Sequence, residues 1–274
     1  MERISSRQNA QIKLACKVAR SSRERARVGL TLLEGSRLIE SYAQQFGLST
    51  ATLLVDEQAA GSVALRSRID ALAPGNVLLL TEQLFRVVTQ MESPEGLIAI
   101  VGIQKLGTSE PDDFRVLLDG VQDPGNLGGL LRTAAAAGAT SALLGRGCAD
   151  PWSPKALRGG MGAQFVLPLR EDVDLGQALH DFSGTVIATS PRADRSLFQV
   201  DLSGPVAMIF GSEGRGLDES VLKLANQPVS IPMAGAVESL NVAAAAAICC
   251  FERLRQVRSH GMLDRTTRNA RTSY

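Results

Sequence analysis

The sequence predicts an α/β protein built as two successive α/β units, and three observations carry that reading. Short apolar runs alternate with longer amphipathic segments along almost the whole chain. Glycines and small polar residues gather where several of those runs stop, which is where an α/β sheet exposes backbone to a ligand. The polar stretch 104–112 carries one Gly, one Pro and no periodicity, so it divides the alternation in two as a linker.

In the first unit, residues 1–103, the runs 30–33, 51–55, 77–80 and 97–103 are too short for helices and rich in Leu, Val and Ile, so they read as strands. Segments 9–20, 36–46, 63–72 and 81–88 mix charged and apolar residues at helical spacing. In the second unit, residues 113–260, the runs 114–118, 141–144, 165–168, 185–189, 206–210 and 228–231 read as strands. Helices fill 127–137, 154–159, 175–182, 219–225 and 240–255. Alternation of this kind implies a mostly parallel sheet with helices on both faces. Residues 261–274 are polar and read as a disordered tail.

Composition narrows the function classes. A chain of 274 residues, 45% hydrophobic and 21% charged, has the balance of an ordinary soluble protein. No apolar run reaches the ~18 residues of a membrane span, and no apolar leader follows Met1. Cys16, Cys148, Cys249 and Cys250 form no CxxC pair and read as reduced thiols of a cytoplasmic protein. No HExxH or cysteine cluster argues for a metal. The net charge of +1 hides an uneven distribution. Residues 1–40 hold nine Lys/Arg against four Asp/Glu, and residues 252–274 hold six Arg against two acids. Basic ends around an acidic middle suggest a phosphate-binding surface; a solvated helix face is the competing reading for either end.

The chemistry concentrates in three stretches. The first is Asn126-Leu-Gly-Gly-Leu-Leu-Arg132-Thr-Ala134. Asn126 suits a helix N-cap. Arg132 lies among Leu130, Leu131 and the alanines 134–137, where a buried guanidinium is costly without a partner. A ligand's phosphate or a hydroxyl losing its proton fits that place, and a structural ion pair is the alternative. The second is Phe210-Gly-Ser-Glu-Gly-Arg-Gly-Leu217, whose glycines permit close backbone approach after a strand. The third is Ile231-Pro-Met-Ala-Gly-Ala-Val-Glu-Ser-Leu-Asn-Val-Ala243, in which Ser239 or Asn241 can cap the last helix. Gly125, Gly128 and Gly129 have the wrong spacing for a dinucleotide fingerprint, and no P-loop occurs.

Together and in this order, the three stretches resemble the motifs of the SpoU (TrmH-like) branch of the SPOUT RNA 2′-O-ribose methyltransferases. Ile4-Ser-Ser-Arg-Gln-Asn9, Leu32-Leu-Glu-Gly-Ser-Arg37-Leu and Ser93-Pro-Glu-Gly96-Leu-Ile-Ala-Ile resemble that family's substrate-binding domain, itself similar to a ribosomal RNA-binding protein. The resemblance implies a trefoil-knotted SPOUT domain behind a smaller RNA-binding domain, and S-adenosylmethionine as cofactor. It also implies a homodimer formed near the last helix, with Ala243–Ala247 suited to close packing. It places Asn126, Arg132, Glu213, Ser239 and Asn241 at the catalytic centre. Cofactor contacts are implied at Thr189, Ser190, Gly211, Ile231, Met233 and Leu240. Glu238 and Ala243 depart from the Gln and Ser frequent in relatives. RNA contacts are expected from the basic residues Arg7, Lys13, Lys17, Arg20, Arg23, Arg25, Arg27 and Arg37. Large-subunit rRNA is the expected target; a tRNA methyltransferase, or an RNA-binding or ribosome-assembly protein without catalysis, are the alternatives.

Overall fold

The structure is a computed structural model that describes residues 2–107, 112–180, 182–191, 193–212, 216–217, 219–235 and 239–259. Glu213, Glu238, residues 260–274 and part of the 104–112 linker lie outside the described residues. The chain forms two compact units: Met1–Lys105 with Asp150–Phe165, and Leu106–Ala149 with Val166–Tyr274.

The first unit opens with the short strand β1 (Glu2–Ile4) and helix α1 (Ala10–Arg20). Asn9 starts α1 by accepting from the Gln11 amide at 2.8 Å. Ile12, Ala15, Val18 and Ala19 form its buried face, and Lys13, Lys17 and Arg20 lie opposite. Ser21 ends α1 and its hydroxyl caps α2 (Ser22–Val28), a helix the periodicity does not announce. There follow β2 (Leu30–Glu34), α3 (Ser36–Phe46), β3 (Thr52–Asp56), α4 (Val63–Leu72), β4 (Asn76–Leu80), α5 (Glu82–Val88) and β5 (Leu97–Gly102). Their sheet has the order β1-β4-β3-β5-β2. β1, β4 and β3 are parallel, and β5 runs antiparallel to β3 and β2. Ile12, Leu32, Leu54, Leu78 and Phe85 fill the core between sheet and helices.

Residues 150–165 complete this unit from far along the chain. Asp150 pairs with Arg25, the Thr31 hydroxyl donates to the Trp152 carbonyl at 2.6 Å, and Arg158 reaches Glu34 at 3.2 Å. Helix α7 (Pro154–Gly160) packs on β2, an edge strand of the sheet.

The second unit contains β6 (Phe114–Leu118), α6 (Pro124–Ala136), β7 (Ser141–Gly145), β8 (Leu169–Val173), α8 (Leu175–Leu179), β9 (Thr185–Thr189), β10 (Val206–Phe210), α9 (Glu219–Leu222), β11 (Gln227–Val229) and α10 (Val242–Ser259). The sheet order is β11-β9-β10-β6-β7-β8, with every pairing parallel. Every residue of β7 and β10 is buried, as expected of parallel strands covered on both faces. Residues 165–168, expected to be a strand, instead begin in a 3-10 turn over Ala163–Phe165, and the strand forms at the polar Leu169–Val173. Among the described residues no helix is long and apolar enough to cross a membrane. No group of three or more His, Cys, Asp or Glu among them could hold a metal.

Candidate active site

A parallel sheet brings the carboxyl ends of its strands to one edge. Here those ends are Leu118, Gly145, Val173, Thr189, Phe210 and Val229, and the three motif stretches follow β6, β10 and β11. The Asp119 amide donates to the Phe210 carbonyl at 2.8 Å, joining the exits of β6 and β10. Helix α6 then begins earlier than its sequence suggests. Asp123, not Asn126, is the N-cap: its carboxylate accepts from the Asn126 amide at 2.9 Å, and Pro124 occupies the first turn. Asn126 therefore sits inside the first turn, and its side-chain carbonyl accepts from the Asn241 Nδ2 at 3.1 Å. The Asn241 Oδ1 in turn accepts from the Ala243 and Ala244 amides at 2.9 and 3.3 Å, which starts α10. Helices α6 and α10 pack together, and a Cβ at Gly129 would stand 3.8 Å from that of Ala243. The first and third motifs are thus in direct contact although 115 residues separate the two asparagines.

Arg132 corrects the expectation of a buried guanidinium. Leu127, Leu130, Leu131 and Ala134 form the buried stripe of α6, and Arg132 projects from the exposed side of the same helix. Among the described residues its side chain makes no hydrogen bond or ion pair. It is a displayed cation, held on a helix whose other face is fixed.

A cleft of about 110 Å³ at this edge is lined by Thr189, Ser190, Pro191, Ile231, Met233, Ser239, Leu240 and Ala245. Ile231, Met233, Leu240 and Ala245 give apolar walls; Thr189, Ser190 and Ser239 add hydroxyls. That mixture fits a nucleoside, whose flat base and ribose hydroxyls need both. Of the residues expected at the cofactor, Gly211 is not in the lining. It is buried, and a Cβ there would lie 2.4 Å from the backbone of Gly216. The close approach that Gly211 permits is the loop folding back on itself, closed by the Gly216 amide donating to the Ser212 carbonyl at 3.0 Å. Glu213 lies outside the described residues.

In the first unit Arg7, Lys13, Lys17, Arg20, Arg23, Arg27 and Arg37 are exposed. Arg20 donates to the Val87 carbonyl and Arg27 pairs with Glu24 at 2.8 Å. Arg25 overturns its expected place among them. It is 4% exposed, with Nε 2.7 Å from Asp150 and Nη1 donating to the Val18 carbonyl at 2.6 Å. A guanidinium satisfied in this way inside a core is a structural anchor, not an RNA contact.

Asp123 escaped the sequence reading although Asp-Pro ahead of an apolar helix is a start signal. Pro191 and Ala245 gave no signal, because their place in the lining comes from tertiary packing.

An all-parallel sheet with a cleft of apolar walls and hydroxyls at its strand ends, together with a unit with many exposed cations, is compatible with an enzyme that binds a small ligand and a polyanion. Comparison with known proteins makes the class specific. Residues 113–251 match the SpoU rRNA Methylase family and residues 9–99 match the MRM3-like substrate binding domain. An uncharacterized tRNA/rRNA methyltransferase of Synechocystis is 36% identical, covering 92% of this chain and 93% of the relative. The 23S rRNA (guanosine(2553)-2′-O)-methyltransferase RlmP of Bacillus subtilis is 32% identical, covering 92% and 98%. The crystal structure of the SpoU methyltransferase AviRb of Streptomyces viridochromogenes with AdoMet superposes at a TM-score of 0.81 with 28% identity, covering 91% of this chain and 98% of that one. The chain belongs to the SpoU rRNA methylase family. It is an S-adenosylmethionine-dependent RNA 2′-O-methyltransferase, the class its three motifs imply.

Proposed function

We propose that this chain methylates a ribose 2′-hydroxyl of large-subunit rRNA. The observation that carries the reading is the Asn126–Asn241 contact, which joins the first and third motifs at the sheet edge that also holds the cleft. The cofactor, when bound, supplies a methyl group activated on a sulfonium. Thr189, Ser190, Ile231, Met233, Ser239 and Leu240 hold its nucleoside part. Asn241 fixes the start of α10 and so the rim that carries Ser239 and Leu240. Arg132 takes a phosphate next to the target ribose and stabilises the charge that develops on the 2′-oxygen. A guanidinium with a pKa above about 12 is poorly suited to removing the proton itself. We assign Glu213, from its motif position, to orienting the RNA or Asn126. The exposed cations of α1 and its neighbours, Arg7, Lys13, Lys17, Arg20, Arg23, Arg27 and Arg37, bind RNA phosphates.

Three further parts belong to the same proposal. The second unit carries the trefoil knot of its family, formed where the chain passes from β10 to α10. Two copies pair through α10, where Ala244 and Phe251 are exposed and Ile248 half-buried at one helical face. The enzyme works in the cytoplasm on free or partly assembled RNA.

The test is methyl transfer from labelled S-adenosylmethionine to unmodified 23S rRNA and to tRNA transcripts, with mapping of the 2′-O-methyl site. Transfer to 23S rRNA alone is expected. Transfer to tRNA alone overturns the target and keeps the class. Cofactor binding without transfer to any RNA favours the binding-module alternative.

A further inference from the structure

We infer that Arg146 is a substrate-positioning residue that grips an RNA backbone phosphate beside the target nucleotide; this rests on the methyltransferase reading above. Arg146 directly follows β7, so it stands at the sheet edge that holds the motif stretches. Leu144 of β7 pairs with Leu118 of β6, the residue from which the Asn126 loop departs.

The turn that carries Arg146 is tied to that loop twice. The Ala149 amide donates to the Val121 carbonyl at 2.8 Å, and the Cys148 thiol donates to the Leu118 carbonyl at 3.3 Å. Gly147, at φ +83°, lets the chain reverse between Arg146 and these anchors. Burial pushes the Cys148 thiol above its ordinary range, so it stays the neutral donor that this bond needs. Asp119 and Asp172 lie close enough to raise it further. Yet Arg146 is exposed and forms no side-chain hydrogen bond or ion pair among the described residues. A cation on an immobilised turn that makes no side-chain hydrogen bond or ion pair among the described residues is available to an external anion. The anion that a 2′-O-methyltransferase brings to this edge is a ribose-phosphate backbone.

Phosphate contacts fix register without reading sequence. Loss of Arg146 therefore weakens engagement of RNA and leaves the cofactor cleft untouched. The experiment uses the full chain, unmodified 23S rRNA and S-adenosylmethionine, and compares wild type with Arg146→Ala and Arg146→Lys. For Arg146→Ala we expect KM for RNA to rise about tenfold, kcat and cofactor affinity to stay within about twofold, and the dependence of log(kcat/KM) on log salt to flatten by about one. Arg146→Lys, which keeps the point charge, recovers most of the loss. Wild-type KM and salt slope in Arg146→Ala overturn the inference, as does a matched loss of cofactor binding. A wild-type protein that methylates no RNA removes the reading beneath it as well, so the two failures are distinguishable.

Discussion

Two arginines, one in each unit, show two different uses of the same side chain. Arg25, in the first unit, is enclosed: Asp150 and the Val18 carbonyl take its donors, and the side chain is 5% exposed. Arg132, in the second, stands on the outer side of α6 and makes no side-chain hydrogen bond or ion pair among the described residues. A fully partnered buried cation serves the fold, because removing either partner strands the other. A displayed cation on a rigid helix contributes little to stability and keeps its field for a ligand. Arg25 is enclosed in the core of the first unit, whereas Arg132 is left on the surface of the second.

The contrast is sharpened most by cutting the chain. Deleting residues 1–105 removes the surroundings of Trp152, Ala156, Leu157 and Phe165, all buried within the first unit. We expect that fragment to aggregate, whereas one that also replaces 150–165 with a short Gly/Ser linker should stay soluble and bind cofactor by calorimetry. Equal behaviour of the two fragments would show that the segment does not depend on the first unit.

Next is Arg25→Ala, which removes a buried guanidinium, leaves the partly buried Asp150 without its cation and should cost about 2–4 kcal/mol in denaturant unfolding. An unchanged midpoint would remove the structural role assigned to it. Arg132→Ala should do the reverse. Methyl transfer falls about 10²–10³-fold, near 3–4 kcal/mol in the barrier, with melting temperature and cofactor affinity unchanged. A drop in melting temperature comparable to that of Arg25→Ala would erase the distinction between the two. The smallest effect belongs to Asn241→Ala, which loses the cap of α10 and the bond to Asn126, for about 1 kcal/mol of stability. Because the same bond joins two motifs, its activity loss should exceed what that stability change explains, and a double mutant with Asn126→Ala should be less than additive.

Much of this was legible in the sequence, and the exceptions have physical causes. The strands β6, β7, β9 and β10 read clearly because burial on both faces leaves continuous apolar runs. Residues 165–168 are as apolar, yet Phe165 turns its ring edge onto Tyr42 at 5.2 Å and Phe46 at 6.2 Å. Its hydrophobicity answers partners some 120 residues earlier, which no local pattern encodes. The strand beside it, Leu169–Val173, carries Arg170, Glu171 and Asp172 exposed on a sheet edge, so it looks like a loop; charges on an edge strand also discourage pairing with another chain. The same non-locality misplaced Arg25. Its run of basic neighbours is a surface signal, and only Asp150, 125 residues away, reveals that this one member points inward. Of the residues expected at the cofactor, Thr189, Ser190, Ile231, Met233 and Leu240 line one cleft. That Gly211 packs against its own loop was not legible, because a glycine's reason depends on what comes near it.

The late return of residues 150–165 to the first unit also fixes an order of events during synthesis. When residue 105 has left the ribosome, Arg25 has no carboxylate and β2 lacks the segment that packs on it. At roughly 5–20 residues per second, the missing piece arrives about 3–12 s later. By then β6, α6 and β7 have already emerged. The RNA-binding unit is thus finished only after the catalytic sheet has begun, and a nascent chain arrested between these points carries an unclosed edge for chaperones to recognise.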